Sequence, residues 1–151
     1  MSSEPENNDS PATVDAREIY TEAVIDHATR PRNLGEMQDP DGYARITGPC
    51  GDTMEIWLRA RDSLITGISF LTDGCGTSLA SGSMVTVLAG GKSVSDALQI
   101  SQQDVLDALG DLPEDSRHCA LLAANTLKAA VADLLAMQRA PWKKAYRKYQ
   151  I

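Results

Sequence analysis

The sequence predicts an α+β fold, in which a small three-stranded antiparallel sheet carries helices packed on one face. Two observations predict it. Three short segments alternate apolar and polar side chains with a period of two and are separated by short polar turns, which is typical of an antiparallel meander with one buried face. The rest of the chain shows helical spacing, and strands followed by helices favour the α+β class. The length of 151 residues fits one domain of ordinary size.

The first predicted element is a helix near the start of the chain. Residues 1–14 are polar and are expected to form a disordered acidic tail, because they cannot bury enough apolar surface to offset their ordering entropy. Asp15 is the expected N-cap, with Glu18 as its capping-box partner. The helix should end before Pro31, since the residue preceding proline disfavours the α region. Its common face is formed by Tyr20, Ala23, Val24 and His27.

Three strands are expected next, over Tyr43–Thr47, Thr53–Ala60 and Leu64–Thr72. In the second strand, the side chains expected on one face are Met54, Ile56 and Leu58. In the third strand, they are Leu64, Thr66, Ile68 and Phe70.

Helices fill the remainder of the predicted domain, which spans residues 15–138. Thr77–Ala89 is expected to be helical up to a glycine pair. Ser93 and Ser101 each open a short helix with capping-box spacing, and Ser116 is the expected cap of the longest helix. That helix carries a core stripe of Leu121, Ala124, Leu127, Val131 and Leu134. Residues 139–151 are expected to form a basic C-terminal tail.

Charge and composition argue against several classes of protein. A formal net charge of −7 argues against a nucleic-acid-binding domain, which needs a basic face. A run of ~18 apolar residues is missing, so no membrane span is expected. The first residues have the features of neither a secretory signal nor a mitochondrial transit peptide. Three widely spaced cysteines do not make a disulfide framework, and reduced thiols predict a cytoplasmic protein.

The reactive side chains lie at junctions between predicted elements. They are Cys50, Asp52, Cys75, His118 and Cys119. In an α+β domain these three junctions can meet at one end of the sheet. Soft thiolates suit zinc, copper(I) and iron–sulfur clusters, and helix N-termini, where Cys75 and Cys119 are expected, favour thiolates. The plainer alternative is that each cysteine is a small buried hydrophobe. The long gaps without Cys-x-x-Cys favour an open site assembled from distant loops over a zinc ribbon or a ferredoxin-type run.

The chain resembles the IscU/NifU-type iron–sulfur cluster assembly scaffolds from about Tyr20 to Gln138. The resemblance rests on these stretches, in the family's order: Tyr20, Val24-Ile25-Asp26-His27, Pro31-Arg32-Asn33-Leu34-Gly35, Cys50-Gly51-Asp52, Gly74-Cys75-Gly76, Ala80-Ser81, Gly90-Gly91-Lys92-Ser93 and His118-Cys119. The ordered set is specific, whereas Cys-Gly-Asp alone would be weak evidence.

The resemblance implies a non-enzymatic scaffold that builds a [2Fe–2S] cluster from iron and sulfur, holds it transiently and passes it to recipient apo-proteins. It implies a cysteine desulfurase as the partner that supplies persulfide sulfur. Cys50, Cys75 and Cys119 correspond to the cluster ligands, and Cys119 to the persulfide acceptor. Asp52 and His118 are the candidates for the remaining ligand position.

The chain departs from the family at two places. Many members carry Leu-Pro-Pro-Val-Lys before His-Cys, a motif read by a dedicated DnaK-type chaperone. This chain has Leu112-Pro113-Glu114-Asp115-Ser116-Arg117, which puts that partnership in doubt. Gly82 stands where serine is usual and is expected to loosen its helix. His118 favours the IscU branch over the SufU branch, which usually lacks it.

Two other functions use the same residues, and the basic tail has two interpretations. The site could hold zinc, in a zinc-binding structural or regulatory protein or in the apo form of the scaffold. A thiol enzyme with Cys119 as nucleophile and His118 as base ranks last, because adjacent helical residues point about 100° apart.

Trp142–Tyr149 is either a solvated helix end or a docking patch for an acidic partner surface, such as the desulfurase.

Overall fold

The computed structural model describes residues 16–147, so the predicted tail over 1–14 and the predicted cap Asp15 lie outside the described residues. Nine helices and strands are assigned within that range, together with 3₁₀ turns at Ala16–Glu18 and Glu114–Ser116. They are α1 (Glu22–Thr29), β1 (Gly42–Thr47), β2 (Thr53–Arg61), β3 (Leu64–Thr72), α2 (Gly76–Ala89), α3 (Val94–Leu98), α4 (Gln102–Leu109), α5 (Arg117–Arg139) and α6 (Lys143–Arg147).

The sheet is the predicted antiparallel meander, with strand order β1-β2-β3. Its strands begin and end within one residue of the predicted bounds. Helix α5 packs on β1 and β2, α2 packs on β3, and the shorter helices α1, α3 and α4 pack against α2 and α5. The predicted α+β class is therefore confirmed. The largest fully buried side chains are Phe70, Met54, Ile56, Leu58, Ile65, Leu109, Leu127 and Leu134.

A bulge in β3 corrects the predicted face of that strand. Arg59 pairs with Gly67 but Ala60 pairs with Ile65, so one residue of β3 has no partner in β2. Because one extra residue reverses the alternation of side chains, Ile65 is buried whereas Leu64 and Thr66 are exposed. Ile68 and Phe70, beyond the bulge, are buried as predicted.

The first helix begins later than predicted. Thr21 is the N-cap of α1, and its hydroxyl accepts a hydrogen bond from the Val24 amide at 3.1 Å. The residues before it form a separate 3₁₀ turn, so Tyr20 precedes the helix. A threonine hydroxyl at this position satisfies an amide that would otherwise lack a partner, which explains the start at Glu22. The predicted end before Pro31 is confirmed.

The caps of the later helices agree with the prediction at two of three positions. Ser93 caps α3, and Ser101 forms a complete capping box with Asp104 on α4. Ser116 precedes α5 as predicted but makes no side-chain cap hydrogen bond. Its backbone already has helical dihedral angles, because it ends a 3₁₀ turn that leads into the helix.

Helix α5 is the central core helix, with one correction to its predicted stripe. Leu127, Val131 and Leu134 are fully buried, but Leu121 is 44% exposed. At about 100° per residue, Leu121 lies roughly 120° around the helix from Leu127, and the buried side is completed by Leu122 and alanines instead.

Among the described residues, Glu114–Arg139 is the one helix long and apolar enough to span a membrane, and 56% of its apolar window is buried inside the domain. That burial is typical of a core helix.

Gly82 has a packing role that the sequence did not indicate. A Cβ atom at this position would lie 2.4 Å from both Cδ2 and Cε2 of Phe70. The aromatic ring therefore occupies the space of the missing side chain, and α2 lies directly on it. The expected loosening of the helix by glycine is offset here by this close contact between α2 and β3.

Candidate metal centre

The site begins in the turn between β1 and β2. Gly48 and Asp52 close the turn through a backbone hydrogen bond of 2.8 Å, and Gly51 takes a positive φ of 94°. This conformation is accessible to glycine at little cost, and it bends the chain so that Cys50 and Asp52 lie at the same end of the sheet. The Asp73 carboxylate accepts a hydrogen bond from the Thr53 amide at 2.8 Å, which fixes the turn against the end of β3.

The other two junctions supply the remaining predicted residues. Cys75 is the N-cap residue of α2, and its side chain makes no cap hydrogen bond. His118 and Cys119 lie in the first turn of α5. The packing of α2 and α5 on the same sheet brings both helix starts to the turn that contains Cys50. All five predicted residues therefore lie together, as their positions at junctions indicated.

The five side chains form two groups that share one member. Ligand atoms of Cys50, Asp52 and His118 lie within 4.8 Å of one another, and these residues are called the outer group below. Ligand atoms of Asp52, Cys75 and Cys119 also lie within 4.8 Å of one another, and these residues are the inner group. Ligands of one tetrahedral metal ion lie roughly 3–4 Å apart, so small side-chain rotations would suit either group to a metal.

The three thiols lie in different environments. Cys50 and Cys75 are exposed, whereas Cys119 is 1% exposed. A hydrogen bond from the Thr77 hydroxyl lowers the pKa of Cys75, and backbone amides of the first turn of α2 add to the effect. Burial raises the pKa of Cys119, and the nearby Cys75 and Asp52 add to that increase. The structure thus favours the thiolate form at Cys75 more than at Cys119.

Two buried hydroxyl residues contact the inner group and were not predicted. Thr77 Oγ1 lies 3.1 Å from Cys75 Sγ and 3.4 Å from Cys119 Sγ. Ser78 Oγ lies 3.0 Å from Asp52 Oδ2 and 3.4 Å from Cys119 Sγ. The signal that could have identified them is their place directly after Cys75, because side chains in the first turn of a helix lean back toward its N-terminus.

The contact between His118 and Cys119 is closer than expected for adjacent residues on a helix. His118 Nε2 lies 3.7 Å from Cys119 Sγ, so the side chains turn toward each other across the angle between them. The prediction that the 100° angle between adjacent helical residues keeps His118 and Cys119 apart was therefore wrong. A raised pKa at Cys119 is nevertheless the opposite of what an activated thiol nucleophile shows.

Comparison with known proteins was made for both sequence and structure. The profile of the NifU-like N-terminal domain matches residues 19–140. The chain belongs to this family. Its curated relatives include "Iron-sulfur cluster assembly scaffold protein IscU 1" of Archaeoglobus fulgidus, 41% identical over 116 residues that cover 76% of each chain. The IscU scaffold protein of Escherichia coli K12 is 40% identical over 119 residues, which cover 76% of this chain and 92% of that one.

Solved structures of this family have the same fold. The N-terminal NifU-like protein from Brucella abortus aligns with a TM-score of 0.64 at 20% identity, covering 80% of this chain and 97% of that one. A scaffold protein described for the SUF system of Fervidobacterium islandicum aligns with a TM-score of 0.62 at 19% identity, covering 78% of this chain and 99% of that one. The resemblance to IscU/NifU-type scaffolds is therefore confirmed for family and fold.

Proposed function

We propose that this protein is a scaffold on which a [2Fe–2S] cluster is assembled from iron and sulfur and from which the cluster passes to apo-proteins. One observation carries the proposal: ligand atoms from three separate junctions converge in two groups that share Asp52. In this proposal Cys50, Cys75 and Cys119 are the thiolate ligands, and Asp52 or His118 fills the remaining position. Relatives about 40% identical are named as cluster assembly scaffolds, which supports the same role here.

The proposed ligand set suits a cluster that the protein holds only transiently. Proteins that retain a [2Fe–2S] cluster typically hold it with four thiolates. Three thiolates and one oxygen or nitrogen ligand form a weaker site, because carboxylate and imidazole are poorer matches to iron–sulfur centres than thiolate. The exposed Cys50 and Cys75 leave part of the site open to a recipient protein. The scaffold would therefore release its cargo without a large rearrangement of the domain.

Cys119 is the proposed acceptor of sulfur from the desulfurase. Once docking exposes it, the Cys119 thiol would lose its proton to solvent and attack the outer sulfur of the desulfurase persulfide, forming a new S–S bond while the desulfurase cysteine leaves as a thiolate. Because Cys119 is 1% exposed, this step requires docking of the desulfurase to expose the sulfur. The desulfurase breaks the carbon–sulfur bond, so the scaffold itself is proposed to be non-enzymatic. Reduced thiols favour a cytoplasmic location.

The test is an anaerobic incubation of the apo-protein with ferrous iron, cysteine and a cysteine desulfurase. Visible absorption reports the cluster, and transfer is followed by the maturation of an apo-ferredoxin. Appearance of a cluster spectrum that fades as the ferredoxin matures is the expected result, and a Cys75→Ser variant should accumulate much less cluster. No cluster, together with tight zinc binding, would contradict the proposal and favour the zinc-binding alternative.

The C-terminal segment is proposed to help dock the desulfurase. Lys144 Nζ forms an ion pair with Asp41 Oδ1 at 2.8 Å, which ties α6 to the start of β1. Trp142 is 64% exposed and Lys143 is also exposed, so this anchored segment presents an aromatic ring and positive charge to solvent. Charge complementarity to an acidic surface would speed association. Truncation after Arg139 is expected to lower the affinity for the desulfurase, and an unchanged affinity would count against the docking role.

A further inference from the structure

Ser78 is a fully buried serine in the first turn of α2, and its hydroxyl contacts the candidate ligands. Its Oγ lies 3.0 Å from Asp52 Oδ2 and 3.4 Å from Cys119 Sγ. Ser81, another fully buried serine of the same helix, donates instead to the Thr77 carbonyl at 2.8 Å. Ser78 therefore differs from Ser81 in the partner of its hydroxyl, although both serines are fully buried.

Gly74 provides an independent observation at the same point. A Cβ atom on Gly74 would lie 2.4 Å from Ser78 Oγ and 2.7 Å from Asp52 Oδ2. The missing side chain therefore leaves the space in which the hydroxyl and the carboxylate meet. Gly74 does not have a positive φ, so backbone conformation does not account for glycine at this position.

The direction of the Ser78 hydrogen bond follows from the chemistry of its two neighbours. The hydroxyl has one hydrogen to donate, and a carboxylate is a stronger acceptor than sulfur. Ser78 therefore donates to Asp52 and holds that carboxylate beside Cys75 and Cys119. Asp52 is also a member of the outer group, so its carboxylate lies within reach of both groups, and the Ser78 hydrogen bond favours the inner one.

We propose that Ser78 is a positioning residue that holds Asp52 in the inner group, so that a metal ion binds first with Cys75 and Cys119. The inference rests on the proposed function only in treating Asp52 as a ligand. Without the Ser78 hydroxyl, Asp52 is free to turn toward Cys50 and His118, and the outer group then competes for the ion.

The experiment is a cobalt(II) titration of the metal-free full chain and of Ser78→Ala. Affinity is measured by chelator competition, and the sulfur-to-cobalt charge-transfer absorption per bound ion reports the number of thiolate ligands. The inner group offers two sulfurs and the outer group one, so the absorption per cobalt should fall toward half in Ser78→Ala. Loss of a side chain that orients a metal ligand typically lowers affinity about 10–100-fold, and that loss is expected here.

Two further variants make the result decisive. Ser81→Ala removes a hydroxyl of equal size from the same helix and should bind cobalt like the parent. Gly74→Ala keeps the Ser78 hydroxyl but places a methyl group between it and Asp52, so it should reproduce the weakened binding and the lower absorption. If Ser78→Ala does not fold, Gly74→Ala still tests the positioning role of Ser78. Parent-like affinity and absorption in the folded Ser78→Ala or Gly74→Ala variant would overturn the inference.

The cobalt measurement is independent of cluster assembly. It uses neither desulfurase nor sulfide nor a recipient protein, so failure of the parent to build a cluster would refute the proposed function and leave the role of Ser78 standing. Normal cluster assembly by the parent with unchanged cobalt binding in the variants would refute the role of Ser78 alone.

Discussion

The substitution Gly82→Ala tests how tightly α2 packs on the sheet. The added Cβ would lie 2.4 Å from two ring atoms of Phe70 and 3.2 Å from a third. Favourable carbon–carbon contacts are about 3.5–4.0 Å long, so the ring or the helix must move by about 1 Å. Phe70 is fully buried between α2 and the sheet, which leaves little room for that movement.

The net effect is the difference between two opposing free energies. Overpacking a core by one methyl group costs about 1–3 kcal/mol, and contact with a buried aromatic ring at two atoms favours the upper part of that range. Alanine in a helix interior is more favourable than glycine by about 1 kcal/mol. Gly82→Ala is therefore expected to lower the free energy of unfolding by about 1–2 kcal/mol.

Urea unfolding followed by far-ultraviolet circular dichroism measures this loss. With a slope of about 2 kcal/mol/M, the midpoint should fall by about 0.5–1 M while the slope stays constant. Gly76→Ala is the matched control, because it lies in the same helix and its Cβ would meet Ala28 at an ordinary 3.7 Å. A midpoint for Gly82→Ala that equals or exceeds that of the parent would refute the packing argument.

A double-mutant cycle with Phe70→Leu identifies the ring as the cause. Phe70→Leu alone is destabilising because it removes a fully buried ring. Leucine also removes the ring atoms that the new Cβ would contact. The double variant should therefore be less destabilised than the sum of the two single variants, whereas an additive result would assign the loss to another contact.

Three further predictions concern the site and its support. Asp52→Ala should lengthen the lifetime of a reconstituted cluster or slow its transfer to apo-ferredoxin, and no change in either would contradict a role of Asp52 in lability. Thr77→Val removes the hydroxyl that lowers the pKa of Cys75, so the midpoint of Cys75 alkylation should move to higher pH, with Cys50 as the internal reference. Burial lowers the pKa of His27, so the folded state favours neutral imidazole, and stability should fall as the pH decreases from about 7 through the unfolded-state pKa near 6.5. Urea midpoints at several pH values measure this decrease, which should be smaller in His27→Asn.

The sheet was predicted closely because its signals are local. Alternation in β2 and the short turns around it depend on neighbouring residues, and both could be interpreted from the sequence alone. The bulge in β3 depends on the register with β2, where Ala60 pairs with Ile65. A period-two pattern carries no information about that register, so the exposure of Leu64 could not be predicted.

The same distinction explains the results for the helices. Ser93 and Ser101 cap their helices through amides three residues away, and this chemistry is visible in the sequence. Ser116 does not act as a cap, because a 3₁₀ turn precedes α5 and Arg117 forms an ion pair with Asp111 at 3.0 Å. The conformation of Ser116 depends on the path of the loop that leads into α5, and the sequence pattern does not define that path.

The residues that form the site could be predicted from the sequence, but their division into two groups could not. Reactive side chains at three junctions of an α+β domain indicated one site, and the structure brings all five together. The division into two groups depends on how α2 and α5 are placed on the sheet. Thr77 and Ser78 were missed because hydroxyl residues in the first turn of a helix usually have a structural role. Their contacts with sulfur and carboxylate exist only in the folded chain.

The gradient of exposure across the site suggests an order for ligand exchange. In the proposed scaffold, an incoming thiolate would replace a ligand only where it can reach the site, so exchange should begin at the exposed Cys50 or Cys75 and end at the buried Cys119. Asp52 belongs to both groups, so two ions bound at the inner and the outer group would compete for its carboxylate. In the proposed scaffold, binding at one group would therefore weaken the other, and this coupling would favour stepwise movement of the cargo over permanent retention.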